Sequence, residues 1–87
     1  MTNQQIEKLK ERAEELISSA FNKKRQSFIK KAKAKAKDNW FELLVNEDQR
    51  FMFRIELICE NNYSEVPADS KLKSDCLSEL SSCYNFV

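Results

Sequence analysis

The predicted fold class depends on how the stretch FMFRIELICE, residues 51–60, is interpreted. Its odd positions are all apolar and its even positions are mostly polar. Alternation with a period of two is typical of a β-strand that buries one face. Read as a helix, the same stretch would leave Phe53 and Leu57 outside the apolar stripe. We therefore predict a strand, with a helix as the alternative because apolar residues 44, 45, 52, 55 and 59 also fit a helical repeat.

Residues 40–45 are aromatic and aliphatic enough to form the partner strand of a β-hairpin. Residues 46–50 would then be its loop, with Asn46 in the left-handed conformation that glycine usually takes. In this hairpin one face, made of residues 51, 53, 55, 57 and 59, packs on the helices. The opposite face would be a candidate apolar interface for a partner or a second copy, unless the C-terminal helix covers it; its residues are Trp40, Leu44, Met52 and Ile58.

Residues 3 to about 38 are predicted to form a long N-terminal helix. Thr2 and Gln5 have the spacing of a capping box, and no helix breaker follows. Apolar residues recur at three- and four-residue steps up to Ala20, after which the stripe moves around the helix. The helix either kinks near residues 18–22 or packs different partners along its two halves. Its length of about 50 Å also makes a homodimer that covers the projecting part an option.

A polar loop, residues 61–69, contains the single proline, Pro67, and precedes a short C-terminal helix over about residues 69–84. One face of this helix is apolar and consists of Leu72, Cys76, Leu77, Leu80 and Tyr84. The predicted fold class is α+β: a long N-terminal helix, with a kink as one option, a β-hairpin and a short C-terminal helix, in one domain over residues 1–87. An all-α three-helix bundle is the alternative.

The composition argues against an enzyme and against a cofactor or metal site. Histidine is absent, so the cysteines lack the usual base partner, and glycine is absent, which excludes Gly-rich phosphate loops. Three cysteines without close pairing do not meet the needs of structural zinc. We predict that Cys59 and Cys76 are core residues and that Cys83 is more exposed. With no signal-like or membrane-spanning segment, the chain is predicted to be cytoplasmic.

The strongest functional signal is a basic tract over residues 23–37, where eight of fifteen residues are Lys or Arg and none is acidic. On a helix these cations form a broad arc opposite the stripe that contains Phe21 and Phe28. Such a surface can neutralise several phosphates, but a single arginine, Arg25, gives little means of reading bases. The candidate contact residues are Lys23, Lys24, Lys30, Lys31, Lys33 and Lys37.

Residues 1–37 carry eleven cations and four acids, whereas residues 38–87 carry four cations and ten acids. A chain divided in this way is suited to electrostatic docking. We expect a small binding or regulatory protein that docks on a protein or a protein–nucleic-acid complex. Phage or mobile-element inhibitors of host systems, including anti-CRISPR proteins, are an analogy by class only. The alternative is a direct, sequence-tolerant nucleic-acid-binding protein that uses the basic helix.

Overall fold

The computed structural model describes residues 1–85 and consists there of three α-helices. They are α1 (Asn3–Lys35), α2 (Trp40–Asn61) and α3 (Asp69–Ser81), and every pair of helices is in contact. The α+β prediction is therefore wrong and its three-helix alternative is confirmed, because this part of the chain contains no strand. α2 runs back along α1, and α3 runs alongside the first two thirds of α1 in the same direction, since Arg12 pairs with Asp69 and Lys24 reaches Leu80.

α1 begins at the predicted capping box and continues without interruption through residues 18–22. The Thr2 hydroxyl accepts the Gln5 N–H at 3.2 Å, while the Gln5 side chain accepts the Thr2 N–H at 2.8 Å. Of the two options for the shifted stripe, the structure shows the continuous helix with different partners. Its first half packs beside α3, and its second half meets the start of α2 and the segment after α3, where Phe28 contacts Tyr84 edge to face. The helix ends at Lys35, three residues earlier than predicted.

α2 is the element where the β-hairpin prediction failed. Residues 40–45 and 51–60 lie in one helix, and residues 46–50, the predicted loop, are also helical. The helix buries Leu44, Phe51, Ile55, Ile58 and Cys59 along one stripe, which the strand interpretation had divided between two faces. Without glycine or proline in this segment nothing stops the helix, so tertiary burial of the helical stripe outweighs the local alternation. The cost is that Phe53 and Leu57 are exposed.

α3 and the segment that follows it close the core. Leu72, Cys76 and Leu80 are buried as predicted, and the chain then turns so that Cys83 and Tyr84 are buried too. The prediction that Cys83 is exposed is wrong, because it is fully buried in this turn. Tyr84 has a positive φ of 59°, a conformation that favours glycine and that costs a non-glycine residue about 1 kcal/mol or more. The left-handed residue of the described chain is thus Tyr84, not Asn46.

The core is a single cluster that all three helices share, so residues 1–85 behave as one packed unit. Its shape is elongated, with extents of 44 × 21 × 17 Å. The turn between α1 and α2 lies at one end of the long axis, beyond the reach of α3. That end carries the C-terminal half of the basic tract.

Candidate docking surface

Five of the six candidate lysines lie on the outer surface of α1 and of the turn that follows it. We call them the lysine surface, and all of them are exposed: Lys23, Lys30, Lys31, Lys33 and Lys37. They lie there because Phe28 and Ala32 point into the core, which leaves the remaining directions of the helix to solvent. Lys23 and Lys30 are two helical turns apart, about 10 Å along the axis. The structure thus brings these five predicted residues together on one surface.

Most of the lysine surface has no ion-pair partner among the described residues. Lys23, Lys30, Lys31 and Lys37 form no salt bridge within residues 1–85. The arginines differ, because each of the four in the chain pairs with a carboxylate: Arg12 with Glu15 and Asp69, Arg25 with Asp48, Arg50 with Glu47 and Arg54 with Glu79. The carboxylates therefore neutralise the arginines, and uncompensated positive charge is concentrated on the lysines of α1.

Lys24 was predicted as a contact residue, but it has a structural partner. Its Nζ donates hydrogen bonds to the carbonyl oxygens of Leu80 and Ser81 at 2.9 and 2.8 Å. These carbonyls belong to the last turn of α3, where helical partners run out and where the helix dipole favours a cation. Lys24 therefore caps α3 and ties it to α1, and it is not part of the lysine surface.

Arg25 is also occupied inside the molecule. Its guanidinium makes a two-pronged contact with Asp48, at 3.0 Å from Nε and 2.9 Å from the terminal nitrogen. The Tyr84 hydroxyl donates to the same carboxylate, and Glu47 accepts the Tyr84 N–H at 2.8 Å. Although burial opposes ionisation, the hydrogen bonds from Arg25 and Tyr84 lower the pKa of Asp48 below its ordinary value. This cluster joins α1, α2 and the C-terminal segment.

An aromatic pair that the sequence interpretation missed lies beside the lysine surface. Trp40 packs against the core with Lys33 over its ring, the ammonium lying 4.6 Å from the ring centre. Phe41 meets Trp40 edge to face at 5.7 Å and is 63% exposed. The signal was present in the sequence, because the two aromatics follow Lys37 after only two residues, but the hairpin interpretation placed them in a strand.

The predicted apolar interface does not exist as one face. Leu44 and Ile58 are core residues, only 3% and 6% exposed, whereas Met52 is partly exposed and Trp40 is half-buried. At about 100° per residue, Trp40, Leu44 and Ile58 lie on the side of the helix that faces the core, and Met52 is turned roughly 100° away from them. The apolar side chains that α2 does expose most are instead Phe41 at its start and Phe53 in its middle.

Phe53 and Leu57 form a small exposed apolar pair on the side of α2 away from α1. They border an open cavity of about 500 Å³, together with Arg54, Ile58 and Glu79. The Arg54–Glu79 ion pair, at 2.7 Å, closes one edge of this cavity and links α2 to α3. Two exposed apolar side chains cover much less area than a stable protein interface needs.

The three cysteines have the environment of structural residues. All are buried and not in disulfides, and burial raises the pKa of Cys76 to about 12 and the pKa values of Cys59 and Cys83 above their ordinary value. Such thiols are protonated at neutral pH and are poor nucleophiles. Within residues 1–85, no group of His, Cys, Asp or Glu side chains is arranged to hold a metal ion.

None of the helices that the structure describes has an apolar stretch long enough to cross a membrane. Comparison of the chain with protein-family models, with curated proteins and with solved structures finds no match.

Proposed function

We propose that this protein is a non-enzymatic binding protein that docks electrostatically on a polyanionic partner through the lysine surface. The observation that carries the proposal is the contrast between the two kinds of cation. All four arginines are paired within the molecule, whereas Lys23, Lys30, Lys31 and Lys37 project into solvent without a salt-bridge partner among residues 1–85. Exposed ammonium groups attract anions without fixing the geometry of a contact.

Two classes of partner present enough negative charge. One is the acidic surface of a protein or of a protein–nucleic-acid complex, on which a small regulatory protein or inhibitor would dock. The other is nucleic acid itself, whose phosphates would be neutralised by the lysines with strong salt dependence and little sequence preference. The exposed Phe41 beside the lysine surface is the specific observation that favours the second class, because an aromatic ring can stack on a base.

Capture from a lysate tests the proposal when charge variants are compared. Lys30→Glu/Lys37→Glu reverses two charges of the lysine surface, and Lys8→Glu/Lys73→Glu reverses two exposed lysines elsewhere on the molecule. We expect the wild type and the second variant to retain the same partner, and the first variant to lose it. Nuclease treatment separates the classes, since a protein partner survives it and a nucleic-acid partner does not. Equal capture by both variants would contradict the proposal.

A second matched pair separates docking from structural support. Lys23 and Lys24 are adjacent in sequence, but Lys23 is on the lysine surface and Lys24 caps α3. We expect Lys23→Gln to weaken capture without changing stability, and Lys24→Gln to lower the free energy of unfolding by about 1 kcal/mol with little effect on capture. Urea denaturation of both variants measures the second quantity. The reverse pattern would assign the docking role to Lys24.

A further inference from the structure

We propose that the end of the molecule formed by the last turns of α1 and the first turn of α2 binds single-stranded nucleic acid. In this site the ring of Phe41 stacks on a base, and Lys30, Lys33 and Lys37 hold the neighbouring phosphates. The inference rests on the proposed lysine surface and adds to it a binding mode and a class of ligand.

Phe41 has the placement that a stacking platform requires. Its ring is 63% exposed and touches the molecule through Trp40, which itself packs on the core. The backbone beneath it is held in the first turn of α2, where the Leu43 N–H donates to the Asn39 carbonyl at 3.0 Å. The ring is thus presented to solvent from a helix with a half-buried aromatic behind it. Stacking on such a ring tolerates any base, because every base has a π face.

The charge around Phe41 matches a phosphate backbone. Lys33 contacts the same Trp40 ring that Phe41 contacts, so the lysine surface reaches the aromatic pair directly. Two carboxylates, Asp38 and Glu42, oppose this field, but they are outnumbered by the five lysines between residues 30 and 37. The net potential at this end therefore favours a polyanion.

A single strand fits this site better than a duplex, because the site has an exposed ring for stacking but no unpaired arginine for reading base edges. In a duplex both faces of each base are covered by its neighbours, so Phe41 would have no base to stack on. Reading base edges in a groove relies mostly on arginine or on amide side chains placed by a helix, and all four arginines are engaged in ion pairs. The exposed groups are lysines and one aromatic ring, which are the elements of sequence-tolerant single-strand binding.

A lipid surface fits less well. Membrane-surface binding requires a broad apolar face beneath the cations. At this end Phe41 is the one strongly exposed apolar side chain of the first turn of α2, because Trp40 is half-buried and Asn39 and Glu42 are polar. One ring suffices for a base but gives only a small area for insertion among lipids.

Trp40 provides the readout, because it is the single tryptophan of the chain and lies beneath the proposed site. We would titrate the protein with an oligodeoxythymidine of about 16 nucleotides, with an oligodeoxyadenosine of the same length, and with the duplex that the two form. The expected result is a change in Trp40 fluorescence, similar affinity for both single strands, and weaker binding of the duplex. Phe41→Ala should lower the affinity for the single strands about fivefold or more, while Phe53→Ala, which removes an equally exposed ring elsewhere on α2, should not.

The charge variants separate failure of this inference from failure of the proposed function. If Lys30→Glu/Lys37→Glu loses all nucleic-acid binding while Phe41→Ala binds single strands like the wild type, the lysine surface stands and the stacking inference is wrong. If Lys30→Glu/Lys37→Glu binds as tightly as Lys8→Glu/Lys73→Glu, the lysine surface itself is wrong. Binding to phosphatidylserine vesicles that Phe41→Ala weakens, with no binding to either single strand, would overturn the inference and assign this end to a lipid surface. Circular dichroism of each variant verifies that the helices are intact.

Discussion

At the scale of single residues, Asp48 links three parts of the molecule. It accepts hydrogen bonds from Arg25 of α1 and from the Tyr84 hydroxyl, and it lies on α2 itself. Tyr84 adopts its left-handed conformation while its ring packs among Phe21, Phe28 and Phe51. Burial and the hydrogen bond to Asp48 raise the pKa of Tyr84, so the hydroxyl remains a donor at neutral pH. The carboxylate thus holds the C-terminal segment against the two longest helices.

We predict that Asp48→Asn lowers the free energy of unfolding by about 1–2 kcal/mol at neutral pH, since an amide cannot accept all these bonds as a carboxylate does. The native pKa of Asp48 is lowered from an ordinary 3.8. Its contribution is therefore complete above that value and is lost as the pH falls through the lowered native pKa. Urea denaturation from neutral pH to about pH 3 should show the stability difference between wild type and variant shrinking in acid. A constant difference would mean that the ionised carboxylate is not what stabilises the cluster.

At the scale of the elements, α2 is the helix whose sequence has two readings. The strand interpretation placed Phe51 and Phe53 together on the buried face. The helix places Phe51 in the core, 1% exposed, and Phe53 on the surface, 59% exposed. The two residues are chemically identical and two positions apart, so they form a matched test of the fold.

We predict that Phe51→Ala lowers the free energy of unfolding by about 3–5 kcal/mol, because it leaves a cavity beside the rings of Phe21 and Tyr84. Phe53→Gln should change it by no more than about 0.5 kcal/mol, since the site is exposed and glutamine is a good helix former. Urea denaturation followed by circular dichroism measures both. Equal, large losses for the two variants would restore the strand interpretation.

One helix end and part of the core were predictable from the sequence, because residue type and spacing determine them. The Thr2–Gln5 capping box, the apolar face of α3 and the burial of Cys59 and Cys76 all follow from residue type and spacing, and the structure confirms them. The secondary structure of α2 could not be determined from its own sequence, because residues 51–60 fit both the two-residue repeat of a strand and the 3.6-residue repeat of a helix. Packing against α1 and α3 selects the helix. Burial of Cys83 depends on the turn at Tyr84, whose positive φ has no signal in a tyrosine.

The exposed lysines that we propose for docking were predictable as a group but not one by one. Spacing placed Lys23, Lys30, Lys31, Lys33 and Lys37 on the outer surface, whereas the role of Lys24 depends on where α3 ends in space. Phe41 was missed because its exposure follows from the helical reading of α2. The role of Lys24 depends on a contact between two helices, and the exposure of Phe41 depends on whether its segment is a helix. Neither can be determined from a short stretch of sequence alone.

At the scale of the whole molecule, the distribution of charge is expected to lower the stability of the free protein. The lysine surface places like charges close together, since Lys30 and Lys33 are one helical turn apart on α1 and Lys37 lies in the turn that follows, and these charges repel one another. Most of the acids that could relieve this repulsion pair with the arginines or lie elsewhere on the molecule, and Asp38 and Glu42 offset it only in part. A surface with this charge is expected to destabilise the free protein, and binding of an anion would remove the repulsion.

We predict that Lys30→Glu/Lys37→Glu, which abolishes docking in the proposal above, makes the free protein more stable at low salt by up to about 1 kcal/mol. The physical reason is that a carboxylate at position 30 lies one helical turn from Lys33 and replaces repulsion by attraction, while the change at position 37 removes a cation from the turn that follows α1. Added salt screens both effects, so the difference from wild type should shrink toward zero as ionic strength rises. Lys8→Glu/Lys73→Glu, outside the tract, should show no such gain. If the first variant is no more stable than the second at low salt, the lysines are too well solvated to repel one another, and the tract carries no energetic cost for a partner to relieve.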